Sequence, residues 1–314
     1  MVRARLRTRC DELTGIGRAK PLPTAVRPGL ASPGMKAPSS APAPAPMSTP
    51  CPAPFFSVVM ATHHRPATLA RALRSLRAQT FADFEILLVA DALDAETATV
   101  VARDLGPADS FLKRTGLSGP AESRNRGLAM ARGDWVIFLD DDDTFEPHHL
   151  ATVKLHCECV DAQVLFTDIT VVTEDRAKPG IPELSRQVSA LGSADVNTLW
   201  VKNFIPLHCL AYRRSLLHGL SFDAHLASQE DWDWLLCVCS RAMPVHVPGG
   251  GAVMHKDYVN PGARRGQQEA SNDTRVVQDF LHVYRRWPAP TPALKAARAG
   301  LLQGVGLALP VEWF

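Results

Sequence analysis

The sequence has no long apolar run and little net charge, and each absence excludes a class of protein. No stretch reaches the ~18 uninterrupted apolar residues of a membrane span, and the basic N-terminus lacks the apolar segment of a secretory signal. The formal charge is +2, of which residues 1–54 hold +6 from eight basic and two acidic residues, so the remainder carries −4. A mildly acidic folded part disfavours a broad nucleic-acid-binding face. We therefore expect a cytoplasmic protein without a transmembrane segment, whose contact with a membrane would be peripheral.

Cysteine is also sparse, with seven residues in 314, which argues against a disulfide scaffold. Two closely spaced pairs, Cys157/Cys159 and Cys237/Cys239, raise the alternative of a zinc site. Both pairs lie in segments with a helical pattern, where residues i and i+2 point about 200° apart and cannot face one ion together. Zinc sites also place two or more residues between their thiols. The pairs therefore indicate buried, reduced cysteines and a reducing compartment.

Residues 1–54 have the composition of a tail rather than of a folded domain. They hold eleven of the 25 prolines, including the run APAPAP at 41–46. Such a segment cannot bury enough apolar surface to form a core, so we predict a disordered Pro/Ala-rich tail. Met47 is an alternative start for the chain, and residues 1–46 are predicted to be dispensable.

From Phe55 onward, apolar runs alternate with helical patterns. Buried strands are predicted at 55–61, 85–91, 111–114 and 135–139, and helices from Pro66, over 95–106 and over 119–133. Gly133 is the expected C-terminal cap of the third helix. Strands that alternate with helices form right-handed crossovers and a mostly parallel sheet. The sequence therefore predicts an α/β domain with a mostly parallel central sheet flanked by helices, with its ligands beyond the carboxyl ends of the strands.

The pattern is weaker beyond Pro147. It predicts a helix at 147–160, a strand at 164–172, a long polar loop at 173–192, a strand at 208–213, a helix at 228–242, a mobile loop at 255–268 and a final helix at 268–286. No internal repeat is present, so repeat architectures are excluded.

Four consecutive aspartates, from Asp140 to Asp143, follow the strand predicted at 135–139. In an extended segment side chains alternate, so Asp140 and Asp142 would share one face and Asp141 and Asp143 the other. Carboxylates at that spacing suit Mg²⁺ or Mn²⁺, which keeps waters and takes its remaining ligands from phosphates. An EF-hand calcium loop is excluded, because the Gly and Glu that it needs at its sixth and twelfth positions are absent. The alternative is an acidic turn that is simply solvated.

The strand SVVMATHHRP, the helix LARALRSLRAQTF, the strand FEILLVAD and the stretch GPAESRNRGLAMARGDWVIFLDDDD follow one another in order. Together they resemble a family-2 glycosyltransferase of the GT-A fold, closely over 55–145 and loosely over 145–260. The resemblance implies a GT-A type single domain at 55–265, with a nucleotide-sugar-binding half at 55–145 and an acceptor-binding half at 146–265. A C-terminal helix and tail would follow at 266–314. It also implies a metal-dependent, inverting transfer of a sugar from a nucleotide-sugar donor to a hydroxyl acceptor, with Mn²⁺ or Mg²⁺ as cofactor.

The resemblance also implies roles for individual residues. Those matched to donor binding are Thr62, His63, Arg65, Asp91, Arg124, Asn125, Asp140 and Asp141. Those matched to the metal are Asp142, with Asp143 and His255 as further ligands. The second strand ends in Ala90-Asp91 where the family has two acidic residues, so the resemblance does not identify the base as uridine.

The family places its catalytic base in a Glu-Asp pair at the start of a helix, and Glu230-Asp231 in ASQEDWDWLL matches that pair. The resemblance makes Asp231 the predicted base, with Glu230 beside it. Ser228-x-x-Asp231 is also the pattern of a helix-capping box, which needs no chemistry. Trp232 and Trp234 either offer an acceptor sugar a stacking surface or belong to the core.

Three other functions fit the residues less well. The main alternative is a non-catalytic nucleotide- or carbohydrate-binding module, against which the intact Asp140, Asp142 and Glu230-Asp231 argue. A nucleotidyltransferase would need a Gly-rich, basic loop after the first strand, where THHRPATLA stands. A dinucleotide-binding dehydrogenase would need G-x-G-x-x-G at that place. Acceptor contacts are expected from 173–205 and 255–270, and neither the donor sugar nor the acceptor follows from the sequence.

Overall fold

The computed structural model describes residues 52–116, 118–259, 273–304 and 306–314. The predicted tail lies outside the described residues as far as residue 51, and so does the part of the predicted mobile loop from 260 onward. The predicted boundary between residues 265 and 266 also falls outside them.

Strands and helices alternate through the first half of the described chain, as predicted. The elements are β1 (Phe56–Thr62), α1 (Pro66–Arg77), β2 (Phe84–Ala90), α2 (Ala95–Asp104), β3 (Ser110–Lys113), α3 (Pro120–Met130) and β4 (Trp135–Asp140). Helix α1 starts at a proline, and its stripe of Leu69, Leu73 and Leu76 is fully buried. Asp94 caps α2 by accepting a hydrogen bond from the Thr97 amide.

The second half differs from its prediction in several places. Its elements are β5 (Thr144–Phe145), α4 (His149–Cys159), β6 (Val164–Phe166), β7 (Ile169–Glu174), β8 (Glu183–Ser189), β9 (Leu210–Arg213), α5 (Glu230–Cys239), β10 (Val245–His246), β11 (Ala252–Asp257), α6 (Asp273–Arg286) and α7 (Pro292–Gly304). The segment at 164–172, predicted as one strand, contains β6 and most of β7, and the segment at 173–192 contains β8 rather than being all loop. Residues 255–257 belong to β11, and α7 has no predicted counterpart. No helix in the described part of the chain has the length and apolar character of a membrane span.

The described strands form two sheets. The larger has the order β10-β6-β9-β4-β1-β2-β3, and the smaller has the order β5-β11-β7-β8. In the larger sheet β1 pairs in parallel with β2 and β4, whereas β9 runs antiparallel between β4 and β6. Strands β1, β2 and β4 are buried almost throughout, which agrees with their continuous apolar sequences. The fold is therefore α/β with a mostly parallel central sheet, as predicted.

Gly133 does not end α3 as predicted. The helix ends at Met130, and Ala131 takes the C-cap position in an extended conformation. A Cβ atom at Gly133 would lie 2.6 Å from backbone atoms of Phe56 and Ser57. The close approach of this turn to β1 therefore requires the glycine.

The paired cysteines lie on helices, as their pattern predicts. Cys157 and Cys159 belong to α4, and Cys237 and Cys239 belong to α5. All four are free thiols, of which Cys159 is exposed and the other three are buried. The prediction of buried thiols is therefore wrong for Cys159, which lies on the outer side of α4.

Candidate functional site

A cavity of about 400 Å³ opens at the carboxyl ends of β1 and β4. The sheet order makes this a topological switch point, because the chain passes from β1 to β2 on one side and returns as β4 on the other. The lining includes the four aspartates, Glu230 and Asp231 from α5, and the arginines Arg65, Arg124 and Arg176. The aspartate run and the acidic pair of α5 therefore face one cavity.

The four aspartates alternate in exposure. The side chains of Asp140 and Asp142 are 36% and 22% exposed, whereas those of Asp141 and Asp143 are 7% and 8% exposed. The Asp143 amide donates to the Asp140 carbonyl at 3.2 Å, so the run turns after β4 instead of continuing as a strand. The alternation persists through this turn, and the first and third carboxylates are the ones that a ligand can reach.

Arg124 of α3 joins the two acidic groups of the cavity. Its Nη2 donates to Asp140 Oδ1 at 2.7 Å, and its Nη1 donates to Glu230 Oε1 at 2.9 Å. Burial works against the charge of Arg124, but these two carboxylates raise its pKa above the usual value. Burial likewise works to raise the pKa of Asp140, but the charge and hydrogen bond of Arg124 lower it below the usual value. Both groups are therefore ionised at neutral pH.

Asp141 anchors the end of β1 from a buried position. Its Oδ2 accepts hydrogen bonds from Thr62 Oγ1 at 2.8 Å and from the His63 amide at 3.3 Å. Burial and the neighbouring charge of Asp142 raise the pKa of Asp141 to about 6. Thr62 is itself fully buried. Its hydroxyl therefore supports the floor of the site from below instead of forming its surface.

Asp142 is held by arginines from three directions. Its Oδ2 accepts from Arg65 Nη1 at 3.1 Å and from Arg176 Nη1 at 3.0 Å. Its carbonyl oxygen accepts from Arg71 Nη2 at 2.8 Å. Arg176 lies between β7 and β8, in the segment predicted as a polar loop, and no sequence motif marks it as part of the site.

Asp143 points away from the cavity mouth into a buried pair with His208. Its Oδ1 accepts from the His255 amide at 2.8 Å, and its Oδ2 lies 3.2 Å from His208 Nδ1. Burial, followed by the charge of Asp142, raises the pKa of Asp143 well above its usual value. Burial lowers the pKa of His208 to about 4, so this imidazole is neutral at physiological pH.

Both ring nitrogens of His255 have protein partners. Nδ1 lies 3.0 Å from Glu174 Oε2, and Nε2 lies 2.9 Å from Thr144 Oγ1. Glu174 is 1% exposed. Among the described residues, no group of three or more His, Cys, Asp or Glu side chains forms a ready ligand set for an ion. A metal role for His255 or Asp143 would require the contacts described here to be given up.

Asp231 stands in the first turn of α5. Its Oδ1 accepts from the Trp232 amide at 2.8 Å, and its Oδ2 accepts from Asn203 Nδ2 at 3.3 Å. Burial and then the charge of Glu230 raise the pKa of Asp231 to about 6. The carboxylate is therefore mostly ionised at neutral pH but more basic than an exposed aspartate.

The capping box that was the alternative role for Asp231 is not formed. Gln229 precedes α5 with a φ of 62°, and its side chain makes no capping hydrogen bond. The Ser228 hydroxyl donates to Asp279 Oδ2 of α6 at 2.8 Å instead of to the first turn of α5. The Ser-x-x-Asp pattern therefore has no capping function here.

Trp232 and Trp234 belong to the core, and the alternative of a stacking surface for an acceptor sugar is wrong. Both side chains are 0% exposed. Trp232 Nε1 donates to the Leu199 carbonyl at 2.7 Å, and Trp234 stacks on Phe222 with ring centroids 4.3 Å apart. Both indoles face inward from α5, so neither reaches the cavity.

Besides Thr62, three residues predicted to bind the donor lie outside the cavity lining, namely His63, Asp91 and Asn125. The Asp91 side chain is fully buried, accepts from the Gly119 amide at 2.8 Å and lies 2.7 Å from His63 Nδ1. Asn125 exchanges two hydrogen bonds with the backbone of Phe222. These side chains position the turn before α3 and the segment before α5, and their contacts with a donor remain predictions.

Three residues of the site were missed by the sequence analysis, namely Arg176, His208 and Asn203. All three come from the second half of the chain, where the periodic pattern is weak. The local signal for Arg176 is the charged stretch at 174–176 that follows an apolar run. That signal is shared by most polar loops.

Comparisons with known proteins agree on the nature of this fold. The family model described as "Glycosyl transferase family 2" matches residues 57–220. The uncharacterized glycosyltransferase YwdF of Bacillus subtilis (strain 168) is 30% identical over 183 residues, which are 57% of this chain and 66% of that protein. The chain thus spans slightly less than two thirds of that relative's length.

Two solved structures share the fold at low sequence identity. S. aureus TarS 1-349 in complex with UDP-GlcNAc gives a TM-score of 0.59 at 19% identity, over 81% of this chain and 73% of that one. The mannosyltransferase PcManGT from Pyrobaculum calidifontis in complex with GDP-Man and Mn²⁺ gives a TM-score of 0.51 at 17% identity, over 83% and 78%. The predicted GT-A type fold is therefore confirmed.

Proposed function

Because the chain belongs to glycosyl transferase family 2, we propose that it transfers a sugar from a nucleotide-sugar donor to a hydroxyl acceptor. The proposal rests on the two ion pairs of Arg124. Its guanidinium contacts Asp140 in the aspartate run and Glu230 beside the proposed base. One buried side chain thus connects two walls of a cavity whose volume of about 400 Å³ suits a small ligand. The nucleotide sugars bound by TarS and PcManGT support this donor class.

In the proposed reaction the acceptor hydroxyl attacks the anomeric carbon from the face opposite the nucleotide. The bond from that carbon to the diphosphate oxygen breaks as the new glycosidic bond forms, so the configuration inverts. Asp231 accepts the hydroxyl proton, because a pKa of about 6 leaves it ionised yet basic at neutral pH. Arg65 and Arg124 stabilise the negative charge that develops on the departing diphosphate.

We also propose Mn²⁺ or Mg²⁺ as the cofactor, held by Asp142 and by the donor's diphosphate. The partly exposed carboxylates of Asp142 and Asp140 offer the hard oxygen ligands that these ions prefer, and water and phosphate complete such shells. The ion would supply further stabilisation of the leaving diphosphate. Asp143 and His255 support the site by fixing the chain beside Asp142. The Mn²⁺ in the PcManGT complex supports this choice of ion.

Thermal-shift measurements with UDP, GDP, dTDP and CDP, each with and without Mn²⁺, test the donor class. One diphosphate should raise Tm by mass action, and its nucleotide sugar should be hydrolysed slowly when no acceptor is present. Binding without hydrolysis or transfer would indicate the alternative, a non-catalytic nucleotide-binding module. The absence of a shift with every nucleotide would contradict the proposed function.

A further inference from the structure

Two guanidinium groups occupy the carboxylate to which the proposed function assigns a divalent cation. Arg65 Nη1 and Arg176 Nη1 both donate to Asp142 Oδ2, at 3.1 Å and 3.0 Å. Arg65 also donates to Asp141 Oδ1 at 3.3 Å. The carboxylate that would bind the cation therefore already carries an internal counter-ion.

Arg176 is held in this position from behind. Its Nε donates to Glu174 Oε1 at 2.8 Å, and its Nη2 donates to the His255 carbonyl at 2.9 Å. Glu174 is fixed in turn, because Arg71 Nη1 and Nη2 donate to its two carboxylate oxygens at 2.5 Å and 3.2 Å. Nε and Nη2 thus anchor the guanidinium of Arg176, and its Nη1 extends to Asp142 at the wall of the cavity.

A divalent cation and these arginines compete for the Asp142 carboxylate, because like charges that close together repel strongly in a partly buried site. A diphosphate offers the arginines a second partner, since guanidinium groups bind phosphate oxygens well. The charge balance of the cavity also favours binding of the nucleotide together with a cation. Among the described residues, its lining holds seven carboxyl groups against three arginines and one lysine, so an anionic nucleotide needs an added cation.

We propose that Arg65 and Arg176 hold Asp142 in the free protein and transfer to the donor's diphosphate when a divalent cation takes the Asp142 carboxylate. This inference rests on the proposed function and adds Arg176 to the donor-binding residues. It requires that cation and nucleotide bind synergistically. The cation binds weakly alone because the arginines compete for its ligand, and the nucleotide binds weakly alone because the arginines remain on Asp142.

Titration of Mn²⁺ followed by electron paramagnetic resonance of the free ion tests the exchange. Without nucleotide, Arg176→Ala should bind Mn²⁺ at least about tenfold more tightly than the wild type, because a competing charge is gone. The second substitution Asp142→Asn should abolish this gain. With UDP or GDP present, Mn²⁺ affinity should rise strongly in the wild type and by a smaller factor in Arg176→Ala.

Arg186→Ala is the matched control. Arg186 lies on β8 and pairs with Glu183 and Glu146 on the exposed surface, so its removal deletes one positive charge from the same sheet without touching Asp142. Its Mn²⁺ affinity should equal that of the wild type. If Arg176→Ala does not fold, Arg65→Ala removes the other competing guanidinium and should give the same result.

The exchange is wrong if the foldable arginine variant binds Mn²⁺ no more tightly than the wild type, including the case in which neither binds. It is also wrong if Arg186→Ala shows the same gain, or if EDTA leaves nucleotide affinity unchanged. Wild-type binding of UDP or GDP with Mn²⁺, alongside an unchanged arginine variant, would remove this inference and leave the proposed function standing. The nucleotide-free titration decides the competition even if no nucleotide binds.

Discussion

Asp231 and Asp233 lie two residues apart on α5 but have different surroundings. Asp231 faces the cavity, whereas Asp233 is fully buried and accepts hydrogen bonds from Trp287 Nε1 at 2.7 Å and from Arg286 Nη1 at 3.0 Å. Replacing each carboxylate in turn therefore separates a loss of catalysis from a loss of folding stability. The same change from carboxylate to amide should lower the transfer rate at Asp231 and the stability of the fold at Asp233.

Asp231→Asn should lower sugar transfer by about 10²–10⁴-fold, because an amide cannot accept the acceptor's proton. Donor and Mn²⁺ binding should stay near wild type. Asp233→Asn should instead destabilise the fold by about 1–3 kcal/mol, through its buried hydrogen bonds, and leave transfer largely intact. Initial rates and urea unfolding of both variants provide the measurement. If Asp231→Asn keeps more than about a tenth of wild-type turnover, the base lies elsewhere, and Glu230 is the next residue to replace.

The raised pKa of Asp231 predicts an acid limb in the pH profile of transfer. Burial raises this pKa to about 6, and below that pH the carboxyl group is protonated and cannot act as a base. The rate should therefore fall about tenfold for each pH unit below this value and level off above it. Initial rates at saturating donor and acceptor between about pH 5 and pH 8 measure the limb. A wild-type rate that does not change over this range would contradict the assignment.

At the scale of the elements, Gly133 and Gly300 form a second matched pair. A Cβ atom at Gly133 would lie 2.6 Å from backbone atoms of β1. A Cβ atom at Gly300, in α7, would have no atom of another element within 4 Å. Gly133→Ala should destabilise the fold by about 1–3 kcal/mol, because the backbone of a central strand cannot move aside cheaply. Gly300→Ala should stabilise it by about 0.5–1 kcal/mol through helix propensity. Urea unfolding of the two variants should show these opposite signs, and equal signs would contradict the argument.

The elements that the sequence predicts well are those whose apolar residues form a continuous run or a regular helical stripe. Strands β1, β2 and β4 are continuous apolar runs, and α1 carries a leucine stripe, so their own residues determine their structure. All seven residues of β8 are exposed, so the segment has no apolar pattern and becomes a strand through its pairing with β7. The segment at 164–172 was predicted as one strand, but the polar residues Thr167 and Asp168 stand between β6 and β7 and mark the point at which the chain leaves one sheet for the other.

The residues of the site also fall into two groups, those in local motifs and those placed by tertiary contacts. The aspartate run and the Glu230-Asp231 pair are recognisable because each is a short contiguous motif at the end or start of an element. Arg176 reaches Asp142 through the placement of Glu174 at the end of β7, which depends on a tertiary contact with α1. The failed capping box has a similar cause, because the conformation of Gln229 and the pull of Asp279 on Ser228 are set by distant packing.

At the scale of the whole molecule, residues 1–46 should be dispensable. Their composition predicts that they add no core, and β1 begins ten residues after position 46, at Phe56. Deleting 1–46 should leave Tm and the transfer rate near those of the full chain. Thermal unfolding and initial rates of the two chains, compared at the same salt concentration, provide the measurement. A large loss of either property would show that this segment stabilises or completes the domain.

The contact between Asp143 and His255 sets an order of events during synthesis. These residues are 112 positions apart, so a ribosome adding about 5–20 residues per second makes His255 roughly 6–22 s after Asp143. Until then β11 is absent, and the Asp143 carboxylate lacks the hydrogen bond that the His255 amide donates to it. The nascent chain can therefore form its parallel half early, but the surroundings of Asp143 are complete only after β11 has been made.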